Sequence, residues 1–277
     1  MIDIYTDSCA DLSPELIQRH HIHVIPLQVF IDGENIHDGD ITTQELFERV
    51  KKSGQLPKTS APSLAEFVTK FEETPNEIIF IGISSKFSAT VATAQLAANE
   101  IRTKKIHVVD SLNLSSGIGL QVLKAADMRD AGASAEEIVA FLRENTDKVR
   151  SSFVVDTMDY LYKGGRCSGL QALAGSLLQI RPIIFVLPDG TMSVRHKVRG
   201  ARMKALNTML DDFKADLPNV DLRRVFTTHT GVHEDALYIS EQLKALAPIE
   251  EMLETNAGAT ICSHSGPGTI GILYRLK

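Results

Sequence analysis

Through the first half of this chain, short apolar β-rich runs alternate with segments that open on a helix-capping signal. That alternation restricts the fold more than any other feature. Ile2-Asp3-Ile4-Tyr5-Thr6 and residues 24–30, 77–83 and 106–109 read as strands. Helices are expected after Ser13-Pro14, where proline takes the first helical position, and after Thr42-Thr43-Gln44-Glu45, a capping box whose helix Gly54 closes. Two further capping boxes, Ser63 to Glu66 and Ser134 to Glu137, open a third helix and one that ends near Lys148. An Ala-rich helix fills the stretch from near Ser88 to Lys104. Strand–helix alternation of this kind builds right-handed βαβ units around a parallel sheet. Residues 1–148 therefore read as an N-terminal three-layer α/β/α domain.

The rhythm changes beyond residue 148. Residues 152–155 read as a strand and Met158 to Tyr162 as a short helix stopped by Gly164-Gly165. Pro188-Asp189-Gly190 between two β-rich runs is a hairpin signal, because proline presets the turn and glycine accepts positive φ. A long helix from about Gly200 to Phe213, a strand from Arg224 ending at His229 and a helix to Leu246 follow. Strand-like runs at 249–254, 258–264 and 270–276 close the chain. Residues 149–277 are expected to form a C-terminal α/β domain with a mixed sheet covered on one face. The whole is an α/β protein of two domains. With no linker between them they should pack closely, and a ligand site falls between them.

Composition narrows the function classes. Among 277 residues, 43% are hydrophobic, and the formal net charge is −6. That balance supports a substantial core and argues against a nucleic-acid or anionic-membrane surface. Cys9, Cys167 and Cys262 are odd in number and outside any zinc or redox spacing, so they read as reduced core or loop residues. The start opens directly into a strand, and no apolar run approaches the ~20 residues of a membrane span. A soluble cytoplasmic protein is expected. Gly117-Ile118-Gly119 lacks the third glycine of a dinucleotide fingerprint, and neither a Walker A sequence nor a Gly-x-Ser-x-Gly elbow is present. His229 and His233 lack the glutamate of a zinc protease motif.

Hydroxyl side chains cluster just after the expected strands: Thr6-Asp7-Ser8, Thr59-Ser60, Ser84-Ser85 with Ser88, and Asp110-Ser111 with Ser115-Ser116. Loops after strand C-termini line the ligand crevice of parallel α/β sheets. Hydroxyls there suit a small polar or anionic head group. Thr59 reads either as part of a plain turn ahead of Ser63 or as an anion ligand beside helix N–H groups. Ser88 reads as a helix cap or as a ligand. His264, taken as ending a strand ahead of Gly266-Pro267-Gly268, reads as a loop anchor or as a head-group residue. Arg199 and Arg202 sit one helical turn apart, so one could face a cleft while the other is solvated. Asp7 and Asp110 read as Asx-turn or cap residues. Residues 170–180, apolar on nearly every face, read either as an ordinary buried helix or as one lining a ligand tunnel.

Taken in order, these stretches resemble the DegV family of bacterial fatty-acid-binding proteins. The resemblance rests on Thr6-Asp7-Ser8-Cys9-Ala10-Asp11-Leu12, Ile25-Pro26-Leu27, Asp38-Gly39-Asp40-Ile41, Thr59-Ser60-Ala61-Pro62-Ser63 and Ser84 to Thr90. Val109-Asp110-Ser111, Leu161 to Arg166, Arg181-Pro182-Ile183, Lys197-Val198-Arg199 and His264 to Gly268 complete it. It implies one long-chain fatty acid in an apolar tunnel, with the carboxylate held by Thr59, Ser88 and His264 and assisted by Arg199. Ser60, Ser85 and Gly266 would support those groups. It also implies a non-catalytic subunit, without metal or cofactor, that presents the fatty acid to a separate kinase subunit for conversion to an acyl phosphate. Arg166 and Arg202 would then offer a partner surface. The family more often has glutamine at the position of Ala61 and glycine at that of Ala89, which puts the backbone path at residue 89 in question. Two enzyme readings compete: a small-ketose site of the dihydroxyacetone-kinase-like fold, and an acyl hydrolase using Ser88 and His264.

Overall fold

The computed structural model describes residues 1–166 and 180–277. Its first sheet is wholly parallel. Strands β1 (Ile2–Asp7), β2 (Ile22–Ile25), β6 (Glu77–Gly82) and β7 (Ile106–Asp110) lie in the order β2-β1-β6-β7. Period-two alternation sorts their side chains between two cores. Ile4, Ile79 and Ile81 pack against helices α1 (Pro14–Arg19), α5 (Ser116–Asp130) and α6 (Ala135–Glu144). Tyr5, Ile78 and Phe80 pack against α3 (Leu64–Glu72) and α4 (Thr90–Glu100), where Phe67, Phe71 and Phe80 stack edge-on. This is the expected α/β/α layering. The strand order reverses between β1 and β6, which marks the crevice beyond their carboxyl ends.

Residues 24–30, read as one strand, are two. Pro26-Leu27 interrupts the run, and β3 (Gln28–Ile31) leaves the first sheet to pair with β4 (Glu34–His37) and β5 (Lys58–Ser60) in a small antiparallel sheet ordered β4-β3-β5. Thr59, expected in a loop, therefore sits on a strand opposite Val29.

After α6 and a 3-10 turn at Thr146–Lys148, the chain enters the third sheet. Its strands are β8 (Val149–Val154), β9 (Ile180–Val186), β10 (Met192–Arg199), β11 (Val220–His229), β12 (Glu251–Asn256) and β13 (Ile270–Leu276). Their order is β10-β9-β8-β13-β11-β12, antiparallel except for β11 with β12. The sheet is mixed, as expected, but it is covered on both faces. Helices α8 (Arg202–Asp216) and α9 (His233–Leu246) cover one face through Phe213, Ile239 and Leu243. The α5 helix of the N-terminal half packs with Phe226 and Leu273 on the other. Short helix α7 (Asp159–Lys163) follows β8.

A further correction concerns residues 258–264. They form not a strand but most of α10 (Ala259–Ser265), whose Ala259 and Cys262 pack against Val29 and Ile31 of the small sheet and Leu46 of helix α2 (Thr43–Ser53). Its β-branched residues mimic a strand pattern, but tertiary packing overrides that weak propensity. Residues 170–179 of the expected helix lie outside the described residues, and Ile180 opens β9. Among the described residues no helix is long and apolar enough to cross a membrane.

Candidate functional site

A cavity of about 470 Å³ opens between the two halves. Leu27, Ile83, Phe87 and Leu114 from the first half and Phe153, Met192 and Leu273 from the second give it a mainly apolar wall. Thr59, Ser60, Ser85, Ser88, His264 and Arg166 line it as well. The cavity thus receives the hydroxyl loops beyond β6 and β7, the edge of the small sheet and one face of α10.

Thr59 and His264, 205 residues apart, share a hydrogen bond of 2.8 Å between Oγ1 and Nε2. They meet because α10 packs on the small sheet whose edge strand is β5. Burial holds the His264 imidazole down, from the ordinary 6.5 to about 4, with the nearby Arg166 charge acting in the same direction. The ring is therefore neutral around pH 7. Its Nδ1 has no hydrogen-bond partner among the described residues and lies against Gly164, where an added Cβ would stand 2.4 Å away. Arg166 is anchored by the carbonyls of Gly164 (2.6 Å) and Phe87 (3.4 Å), so the Phe87-Ser88 loop joins the same constellation.

Ser88 lines the cavity but is not the N-cap of α4, which is Ala89; its hydroxyl closes the turn just ahead of the helix. It accepts from the Thr90 amide at 3.2 Å and pairs with the Thr90 hydroxyl at 2.7 Å. Ala89 adopts φ −77°, so alanine there carries no left-handed strain. Ser60 and Ser85 reach the cavity wall, and the Ser85 amide donates to the Asp110 carboxylate. Gly266, at φ +78°, lies against the Tyr160 ring, and its carbonyl accepts from Thr230. The arginine expectation needs correcting. Arg199 is an exposed residue ending β10, in a strand rather than a helix turn, and the cavity-lining arginine is Arg166. Arg202 opens α8 and is tied to Asp235 and Asp156.

The chemistry of these groups separates the enzyme readings. No serine–histidine–acid chain exists among the described residues, since Ser88 pairs with Thr90 and His264 with Thr59. Asp7 and Asp110 act as turn caps: Asp7 accepts from the Cys9 and Ile83 amides, and Asp110 from those of Ser85 and Leu112. His229 of β11, Glu254 of β12 and His233 at the start of α9 cluster together. However, His229 Nδ1 accepts from the Val232 amide, which leaves the proton on Nε2, facing Glu254, where a metal would need a lone pair.

The neutral His264 has a measurable consequence. Its pKa is lower in the folded protein than in the unfolded chain, so the unfolded state binds more protons between pH 6.5 and 4. Stability contributed by this group is complete above 6.5 and falls as pH drops through that window, by about 3 kcal/mol in all. Buried Asp7 and Asp11, pushed up to about 7 and 8, work in the opposite sense. The comparison that isolates the histidine is wild type against His264→Leu in urea at pH 7 and pH 4.5. The wild type should lose stability relative to the variant at the lower pH; an unchanged difference would refute the neutral imidazole.

The fold and site define a class: a two-domain α/β protein enclosing an apolar cavity whose wall carries hydroxyls and an uncharged imidazole. The chain belongs to the DegV family, matching over residues 1–277 the family described as "Uncharacterised protein, DegV family". It is 36% identical over 279 residues to a DegV domain-containing protein of Caldanaerobacter subterraneus, covering 100% of this chain and 99% of that protein. A DegV family protein from Thermus thermophilus, whose structure is described in terms of fatty acid binding, superposes with a TM-score of 0.92 at 32% identity, covering 100% and 99% of the two chains. DegV of Bacillus subtilis, described as a fatty acid binding protein, does so at 0.90 and 32%, with the same coverage.

Proposed function

We propose that this protein holds one long-chain fatty acid with its carboxylate at Thr59, Ser88 and His264 and its acyl chain along the apolar wall. It presents that head group to a separate kinase subunit, which converts the carboxylate to an acyl phosphate. The observation that carries the reading is the Thr59–His264 pair in the wall of a largely apolar cavity. An imidazole Nε2–H donating to Thr59 Oγ1 leaves the threonine hydroxyl proton free to donate to a carboxylate. Hydrogen bonds to a charged acceptor contribute about 1.5–3 kcal/mol each, and each buried CH₂ adds about 0.8 kcal/mol before ordering costs. The cavity is large for a small ketose. The sequence carries no Walker A motif to hold ATP, which favours the reading that a partner supplies the phosphoryl chemistry.

Purified protein should release about one fatty acid per chain on denaturation, organic extraction and mass spectrometry. Absence of lipid, together with no binding of added fatty acid, would refute the carrier. ATP-dependent phosphorylation of fatty acid by the chain alone would refute the division of labour.

The site also makes Gly164 a test position. Its φ of −75° is open to alanine, but the added Cβ would stand 2.4 Å from His264 Nδ1 and 2.7 Å from the Tyr160 carbonyl oxygen. Gly164→Ala should push the imidazole off Thr59 and weaken fatty-acid binding by roughly 1–3 kcal/mol in calorimetric titration. Unchanged affinity would place the imidazole outside the head-group contact.

A further inference from the structure

Helix α10 carries His264 but does not cap itself: its N-cap is Gly258, and no side chain of its own reaches the first-turn amides. Two carboxylates from remote parts of the chain do so instead. Asp11 Oδ1 accepts from the Gly258 amide at 2.8 Å, and Asp38 Oδ1 accepts from the Ala259 amide at 2.8 Å. Each carboxylate is held by its second oxygen. Ser115 Oγ donates to Asp11 Oδ2 at 2.5 Å, and Ser8 Oγ donates to Asp38 Oδ2 at 2.9 Å. Both aspartates are only 6% exposed. Asp11 reaches this point from a left-handed backbone conformation, φ 50°, which aspartate tolerates better than most residues. The approach is close enough that a Cβ on Gly258 would stand 3.0 Å from Asp38 and 3.3 Å from Asp11. Thr43 Oγ1 completes the anchor by donating to the Ala257 carbonyl at 2.8 Å.

We propose that Asp11 and Asp38 are positioning residues for the head-group histidine, clamping the N-terminus of α10 so that His264 is presented to Thr59. Two motifs that contribute nothing to the cavity wall, Ser8 to Asp11 and Asp38-Gly39, thereby gain a role in ligand binding. Acceptor oxygens at helix N-terminal amides satisfy donors that would otherwise be buried without partners, a role that the Asp11 carboxyl, pushed up to about 8 by burial, fills whether or not it carries a proton. The proposal rests on the head-group reading of Thr59 and His264, and it names what fixes their distance.

The test combines fatty-acid titration with NMR of the His264 ring. Asp38→Ala should weaken palmitate binding about tenfold, but by less than about twofold when His264 is already alanine, because the clamp acts through that ring. In the ligand-free protein, Asp38→Ala should raise the His264 titration from about 4 towards 6.5 as α10 loosens and water reaches the ring. Asp38→Asn, whose amide oxygen still accepts from Ala259, should recover most of the affinity. If Asp38→Ala does not fold, Asp38→Ser, whose shorter hydroxyl falls short of Ala259, is read in the same way. An equal loss in the His264→Ala background, or an unchanged His264 titration, would overturn the clamp. Wild-type protein that binds no palmitate would refute the carrier reading instead, leaving the titration to decide the clamp.

Discussion

Arg224→Ala should lower the unfolding free energy by about 3 kcal/mol, the low end of the ~3–5 kcal/mol expected when one partner of a buried ion pair is removed. The guanidinium on β11 is 7% exposed and grips Asp127 of α5 through both terminal nitrogens, at 2.5 and 3.2 Å, while its Nε reaches Glu251 of β12 at 2.5 Å. Removing it strands the Asp127 carboxylate, only 10% exposed, at the junction of the two halves. The low end applies because Arg223 still reaches Asp127 Oδ1 at 3.1 Å, from a half-exposed position. Urea unfolding at pH 7 measures the loss. A change below about 1 kcal/mol would mean that water or Arg223 replaces the whole interaction.

Legibility of the fold followed exposure of pattern. Three strands of the parallel sheet, β1, β6 and β7, were readable because their runs are apolar and bounded by turns, and Ser63 and Ser134 form the complete capping boxes that their sequences announce. Helix α5 was not readable. Of its residues, Ser116 through Leu123 and Ala125-Ala126 are all buried, so no polar stripe marks a helical period. Gly117 and Gly119 lower helix propensity further, for a reason visible only in three dimensions. A Cβ on Gly117 would stand 2.0 Å from Asn113 Oδ1, and one on Gly119 2.8 Å from Leu12 Cδ2. The second covered face of the mixed sheet was missed for the same reason, since α5 supplies that cover.

The head-group residues were legible only in part. Thr59 and His264 came from hydroxyl clustering and from the family resemblance, yet the elements that bring them together, β5 and α10, were read as a loop and a strand. Arg166 stood out in sequence as a candidate for a partner surface. No local signal tells a cavity-lining arginine from a solvated one, because the difference lies in the Phe87 and Gly164 carbonyls that hold it. Asp11 and Asp38 fall into the same category, since their partners Gly258 and Ala259 lie more than 200 positions away in sequence.

Thr59→Val and His264→Leu should each weaken palmitate binding by about 1.5–3 kcal/mol, and the double variant by little more than the worse single. The two side chains touch at 2.8 Å, so removing either one spoils the donor geometry of the other. Independent contacts would instead add, giving roughly twice the single loss. The choice of ligand separates head group from tail. Hexadecanol keeps the acyl length but carries no charge, so its affinity should fall much less in all three variants, because the apolar wall is untouched. Calorimetric titration of both ligands against the four proteins gives the full cycle. Equal losses for the acid and the alcohol would assign Thr59 and His264 to the wall of the cavity. Additive losses for the acid alone would keep them at the head group but as separate contacts, with the hydrogen bond between them broken when the carboxylate binds.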